Sequence, residues 1–191
     1  MWPFSSKSHL SKKIFLSSTF RDLSYHRNLA AEVLIKGGYK VIRSEDLDFA
    51  KGSGAHKHDI CLQRVDETPN FLLIIDWYAG QPYEGVNADY AGLTITHAEA
   101  KRAFIKQGGW HCFAKQDVIT TYNIWKQNKT LFEFRHDPVE RKVFDLLDDI
   151  YGLGKWGPNA FDDPDDFKRK LKKYFKQLRR DKKTQKTKHF I

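Results

Sequence analysis

The chain contains little cysteine: Cys61 and Cys112 stand alone among 191 residues. That excludes a disulfide framework and a CxxC zinc site, and it points to a reducing compartment, hence the cytoplasm. Long apolar runs are missing too. The stretch Phe71 to Ile75 is among the longest and falls far short of a bilayer span, while Trp2, Pro3 and Phe4, followed by Ser and Lys, do not form the apolar core of a secretion signal. No Gly-x-Ser-x-Gly elbow or Rossmann fingerprint occurs, and Tyr151 to Pro158 is glycine-rich without the spacing of a phosphate-binding P-loop. His97-x-Glu99 opens like a zinc deaminase, but no Pro-Cys-x-x-Cys follows. His56-x-His58-Asp59 lacks a second ligand cluster, so these residues read as solvated loop and no metal is expected.

What is present is charge, unevenly placed. The net charge is +9, yet between Lys168 and Lys188 twelve cations meet one acid, Asp181. The body is therefore slightly acidic, and the basicity belongs to the C-terminal stretch. At most weak, non-specific binding of polyanions is expected from it. With 40% apolar and 14% aromatic residues the chain can bury one sizeable core. The expected organisation is an extension over residues 1–11, one domain over 12–180 and a disordered basic tail over 181–191.

The periodicities read as alternating strands and helices. Ile14 to Leu16 is an apolar run leading into a helix with Leu23, Leu29, Ala30, Val33 and Leu34 at helical spacing. Gly37-Gly38 ends that helix and Tyr39 to Arg43 reads as a second strand. A helix carrying Ile60, Cys61, Leu62 and Val65 precedes the most apolar segment, Asn70 to Trp77, which is expected to be the central buried strand. Helical spacing resumes from Ile95, followed by a strand at Trp110 to Ala114, a helix capped by Asp117, another over Val139 to Ile150, and a last helix with its apolar stripe at Phe167, Leu171, Tyr174, Phe175 and Leu178. This order predicts an α/β fold whose parallel sheet has Ile14 to Leu16 and Leu72 to Ile75 as adjacent inner strands.

In such a sheet ligands bind at the carboxyl edge of the strands. Ser17, Ser18 and Thr19 follow the first strand, Asp76, Trp77 and Tyr78 end the central one, and Glu99 falls in the first turn of the next helix. A carboxylate there can orient a ribose hydroxyl or stabilise the positive charge that develops when a glycosidic bond to a base breaks. Capping is the competing explanation at two places: Thr19 with Asp22, and Thr96 with Glu99, both have the form of a capping box.

Ile14-Phe-Leu-Ser-Ser-Thr-Phe-Arg-Asp-Leu, the Cys61-Leu62 helix, the strand ending at Tyr78 and Gly80, and Thr94-Ile-Thr-His-Ala-Glu, in that order, resemble the family known as domain of unknown function 4062. The resemblance implies a flavodoxin-like three-layer sandwich with a central parallel sheet, similar to TIR domains and nucleoside deoxyribosyltransferases. It further implies a nucleotide or nucleoside ligand within a defence or signalling system, and an N-glycosidic hydrolase or transferase acting on NAD or a related nucleotide as substrate, with no other cofactor. Glu99 is the position matching the catalytic glutamate. Ser17, Ser18, Thr19, Asp22, Trp77, Tyr78, Gly80 and Thr96 would bind the nucleotide. The family usually has Glu-Arg where this chain has His26-Arg27, Thr-Glu-x-Glu where it has Thr96-His97-Ala98-Glu99, and Arg-Tyr-Gly at the end of the central strand where it reads Trp77-Tyr78-Ala79-Gly80. The alternative reading is a non-enzymatic interaction module, with a partner in trans or a second copy of the chain.

Overall fold

The protein is described by a computed structural model over residues 12–19, 22–46, 48–49, 54–106, 108–129, 137–152 and 157–188, with side chains given from 141 in the fifth helix and up to 180 in the last. The expected extension over residues 1–11 lies outside them.

Five strands form one parallel sheet in the order β2-β1-β3-β4-β5: β1 (Lys13–Ser17), β2 (Lys40–Ile42), β3 (Asn70–Ile75), β4 (Gly109–Lys115) and β5 (Asn159–Phe161). Ile14 to Leu16 lie beside Asn70 to Leu72 in parallel register, so the two expected inner strands are neighbours. The order reverses between β1 and β3, and the carboxyl ends of those strands are where this topology opens a crevice.

Both strands carry unbroken apolar runs, Ile14 to Leu16 and Phe71 to Ile75, because each face meets helices. Ile14, Leu16, Leu72, Ile74 and Phe113 point to a layer made by α1 (Ser24–Lys36) and α6 (Pro164–Lys188). Phe15, Phe71, Leu73 and Ile75 point the other way, to α2 (Lys57–Glu67), α3 (Ile95–Ile105), α4 (Gln116–Gln127) and α5 (Asp137–Gly152). The result is a three-layer α/β sandwich. Phe167, Leu171 and Phe175 of α6 are each at most 2% exposed, and burying side chains of this size stabilises the fold by about 1.5–3 kcal/mol apiece.

Several expectations are corrected. β5 was not legible, because a three-residue edge strand with one fully buried apolar side chain, Phe161, has no period to read; Phe161 ends that strand rather than opening α6. Asp117 does not cap α4: the cap position is Lys115, and Asp117 lies inside the first turn. The backbone of α6 is helical to Lys188, where unstructured chain was expected from Asp181. No glycine or proline interrupts that stretch, and lysine, arginine and glutamine are good helix formers. Among the described residues no helix is long and apolar enough to cross a membrane.

Candidate active site at the carboxyl edge of the sheet

Glu99 sits in the second turn of α3, whose cap is Thr94: the Thr94 hydroxyl accepts from the His97 backbone N–H at 3.3 Å. Thr96 is therefore not the cap, and Glu99 is released from the capping box the sequence offered. Its side chain turns inward, only 5% exposed, and Oε2 accepts a 2.5 Å hydrogen bond from the Ser17 hydroxyl at the end of β1. Burial raises the carboxyl to about 7, against the pull of its hydrogen bonds to Ser17 and Cys61 and of the Arg27 charge. The same burial, with Glu99 beside it, pushes the Cys61 thiol far up, so Cys61 is a neutral donor and not a nucleophile.

The hydroxyls after β1 also escape pure capping. α1 begins at Ser24, its cap position is Leu23, and no side chain caps it. Ser18 donates to the Thr19 carbonyl and accepts from Arg27 Nη1 at 2.9 Å. Thr19 is buried and donates to the carboxylate of exposed Asp22. Gly80, at φ +93°, lies so close to Thr96 and Thr19 that a Cβ there would stand 2.8 Å from the Thr96 hydroxyl and 3.5 Å from Thr19 Cγ2. Backbone conformation and crowding both demand glycine at this place. Ser17, Thr19, Gly80, Thr96 and Glu99 thus come together at one edge, drawn from three segments.

The aromatic pair is placed differently. Trp77 gives its indole N–H to Asp117 at 3.1 Å and packs 6.3 Å from the Phe144 ring, which commits it to α4 and α5. Tyr78 accepts from Gln81 at 3.0 Å. No hydrogen bond joins either residue to Glu99 among the described residues. Asp76, at the end of β3, pairs with Lys115 at 3.1 Å.

Three participants went unrecognised in the sequence: Arg27, Glu45 and Cys61. Arg27 is 2% exposed and grips Glu45 through Nε at 2.9 Å and Nη2 at 2.5 Å. The signal for it was present, since Arg27 falls four residues after Leu23 on the helix face that otherwise buries Leu34, Ala30 and Ala31; a charge at an apolar position needs a buried partner. Its neighbour His26 is 7% exposed, wedged against Phe161 and Phe167, with both ring nitrogens unpartnered among the described residues. Burial holds it below the usual histidine range.

Glu84 brings its carboxylate to His56 and His58, and the donor atoms of the three lie within 4.8 Å of one another. Each ring already accepts a backbone N–H at Nδ1, from His58 and from Glu84. In the neutral ring that leaves the proton on Nε2, the nitrogen a metal would need. Hydrogen bonding accounts for the cluster.

The five-stranded parallel sheet with helices on both faces makes this a three-layer α/β domain, with the buried Glu99 at its switch point. The sequence matches the family described as Domain of unknown function (DUF4062) over residues 13–179, and the chain belongs to that family. A similar solved structure is the one described as "Structure of the activated Roq1 resistosome directly recognizing the pathogen effector XopQ (TIR domains)". It is 12% identical, with a TM-score of 0.52, covering 84% of this chain and 97% of that one. At that identity the likeness speaks for the fold. No curated protein matches the sequence.

Proposed function

We propose that this protein is a nucleotide- or nucleoside-binding module of a cytoplasmic defence or signalling system, and that Glu99 acts on the N-glycosidic bond of NAD or a related nucleotide. The observation that carries the reading is a carboxylate that caps nothing, is buried at the switch point of the sheet, and is held by Ser17. A group titrating near 7 is part ionised at neutral pH and can serve either as base or as charge stabiliser. In the reaction, the C1′–N bond breaks with its electron pair leaving on the base. Water forms the new C1′–O bond and gives its proton to the Glu99 carboxylate, which also faces the positive charge developing on the sugar. Ser17 orients that carboxylate, while Thr19, Thr96 and the Gly80 backbone offer polar contacts to ribose or phosphate.

NAD loss measured with the purified protein, with Glu99→Gln as control, tests this. The expected result is turnover by the native chain and a decline of about a hundredfold or more in the variant. The second reading, a partner-binding module without turnover, draws on the assembly in which the similar TIR domains were solved; NAD left intact at high protein concentration, where copies can associate, decides for it.

A further inference from the structure

The guanidinium of Arg27 is held on two sides by different means. Nη1 donates to the Ser18 carbonyl at 3.2 Å and to the Ser18 hydroxyl at 2.9 Å, both on the loop after β1. Nε and Nη2 form the planar fork that grips both Glu45 oxygens. Arg27 is fully buried on α1, whereas the Glu45 side chain, from the loop after β2, keeps 23% exposure. Solvent therefore reaches the pair from the carboxylate side. The loop after β1 would keep the guanidinium oriented with Glu45 gone.

A bidentate arginine fork accepts a carboxylate or a phosphate in the same geometry. The fork lies close to Glu99, because Arg27 holds Ser18 while Glu99 holds the preceding residue, Ser17. Glu45 also has other cationic company, the Arg43 guanidinium at 3.8 Å, so a carboxylate leaving the fork need not travel far to be compensated.

We propose that Arg27 is the phosphate-binding residue of this site and that Glu45 occupies its fork as an internal stand-in for a phosphate or pyrophosphate group of the nucleotide. The proposal rests on the nucleotide reading above and adds to it a substrate class: the ligand carries a phosphate, and a bare nucleoside leaves the fork with Glu45. An anion that binds here competes with a tethered carboxylate, which lowers its apparent affinity by the fraction of time the fork stands open.

Inorganic pyrophosphate is the probe, read by calorimetry on the full chain. Native protein is expected to bind it weakly, Glu45→Gln about tenfold more tightly, and Arg27→Lys, which keeps the charge without the fork, not measurably. Equal binding by native protein and Glu45→Gln, or binding that survives Arg27→Lys, overturns the proposal. Because Glu45→Gln removes a partner from a buried charge and can impair folding, the native chain supplies a second readout. Hydrogen exchange at residues 43–46 should quicken when pyrophosphate is added, and unchanged exchange overturns the proposal as well. The two readings fail separately: a protein that consumes NAD yet ignores pyrophosphate keeps the glycosidic reading and loses this one. A protein that takes pyrophosphate through Arg27 and leaves NAD intact does the reverse.

Discussion

At the carboxyl edge of β1 the charges of Arg27, Glu45 and Glu99 lie within one another's reach and mostly out of water, while on α6 Lys172, Lys173 and Lys176 stand in solvent. A groove of about 210 Å³ between the end of α1 and α6 shows the contrast. Its floor is Leu34, Val33 and Phe175, and its rim carries Lys36, Lys172, Lys176 and Arg179. Lys36 pairs with Glu32, but Lys172 and Lys176 have no carboxylate partner among the described residues. A buried charge must be met by specific atoms at specific distances, so it fixes geometry; an exposed one is met by water and fixes little. The excess of positive charge accordingly says where the chain is solvated and not where its chemistry lies.

The sharpest way to break that contrast is to remove a charge from each region. Arg27→Ala strands the Ser18 carbonyl and empties a buried site, and it should lower unfolding stability by about 3–5 kcal/mol. Lys172→Ala should change it by less than about 0.5 kcal/mol. Urea unfolding of both variants checks this, and comparable losses would mean that burial is not what separates the regions.

Glu99 gives the next largest effect, and its sign is set by pH. Its carboxyl rises from 4.5 to about 7 on folding, so between those values the folded state binds more protons than the unfolded state. Stability therefore falls as pH rises through that window, by about 3 kcal/mol in all. The contribution is intact below the unfolded value and is fully lost above about 7. Buried His26 has its affinity for protons lowered and works in the opposite direction below its usual value, so the difference between native protein and Glu99→Gln is the informative quantity. Thermal unfolding from pH 5 to 8 should show the variant gaining on the native chain as pH increases; parallel curves would show that Glu99 is solvated.

How far the sequence announced these features depended on the range over which their causes act. Apolar runs such as Phe71 to Ile75 name a strand covered on both faces, and stripes such as Phe167, Leu171 and Phe175 name a docked helix, because the pattern and the burial belong to the same residues. The switch point followed from strand order, and with it the placement of Ser17 beside Glu99. What stayed hidden depends on distant pairings. Arg27 meets Glu45 across the remainder of α1 and β2, Glu84 meets His56 and His58 through the excursion after β3, and β5 exists only because β4 offers an edge. Caps failed for a subtler reason: Thr94 and Thr96 are equally good residues, and only the path of the preceding loop, where Ile95 N–H bonds the Gln81 carbonyl, selects Thr94.

That selection predicts a smaller effect. Thr94→Ala removes the oxygen that satisfies the His97 N–H and should lower stability by about 1 kcal/mol. If Glu99 depends on the first turn of α3 for its aim at Ser17, NAD turnover should fall with it, and threonine replaced by serine should restore both. Equal stability for Thr94→Ala and the native chain would return the cap to Thr96.

The smallest effect on the fold belongs to the lysines, and there the comparison turns to binding. α6 holds its cations on a helix that is continuous to Lys188, so they are spaced along a rod and not collected on a loose tail. A rod of like charges attracts polyanions by releasing their counterions, which requires no specific contact and weakens steeply with salt. With about four phosphate contacts, affinity for a DNA duplex should drop roughly a hundredfold between about 50 and 200 mM salt. No aromatic residue lies between Phe175 and Phe190 to stack on bases, so neither strand nor sequence should be preferred. Lys172→Ala with Lys176→Ala should reduce this binding severalfold and leave both unfolding and NAD turnover unchanged, as anisotropy, urea titration and NAD loss on one preparation will show. Loss of turnover in that double variant would mean that the groove and the carboxyl edge are parts of one site, and the contrast between satisfied and solvated charge would then describe two ends of a single ligand.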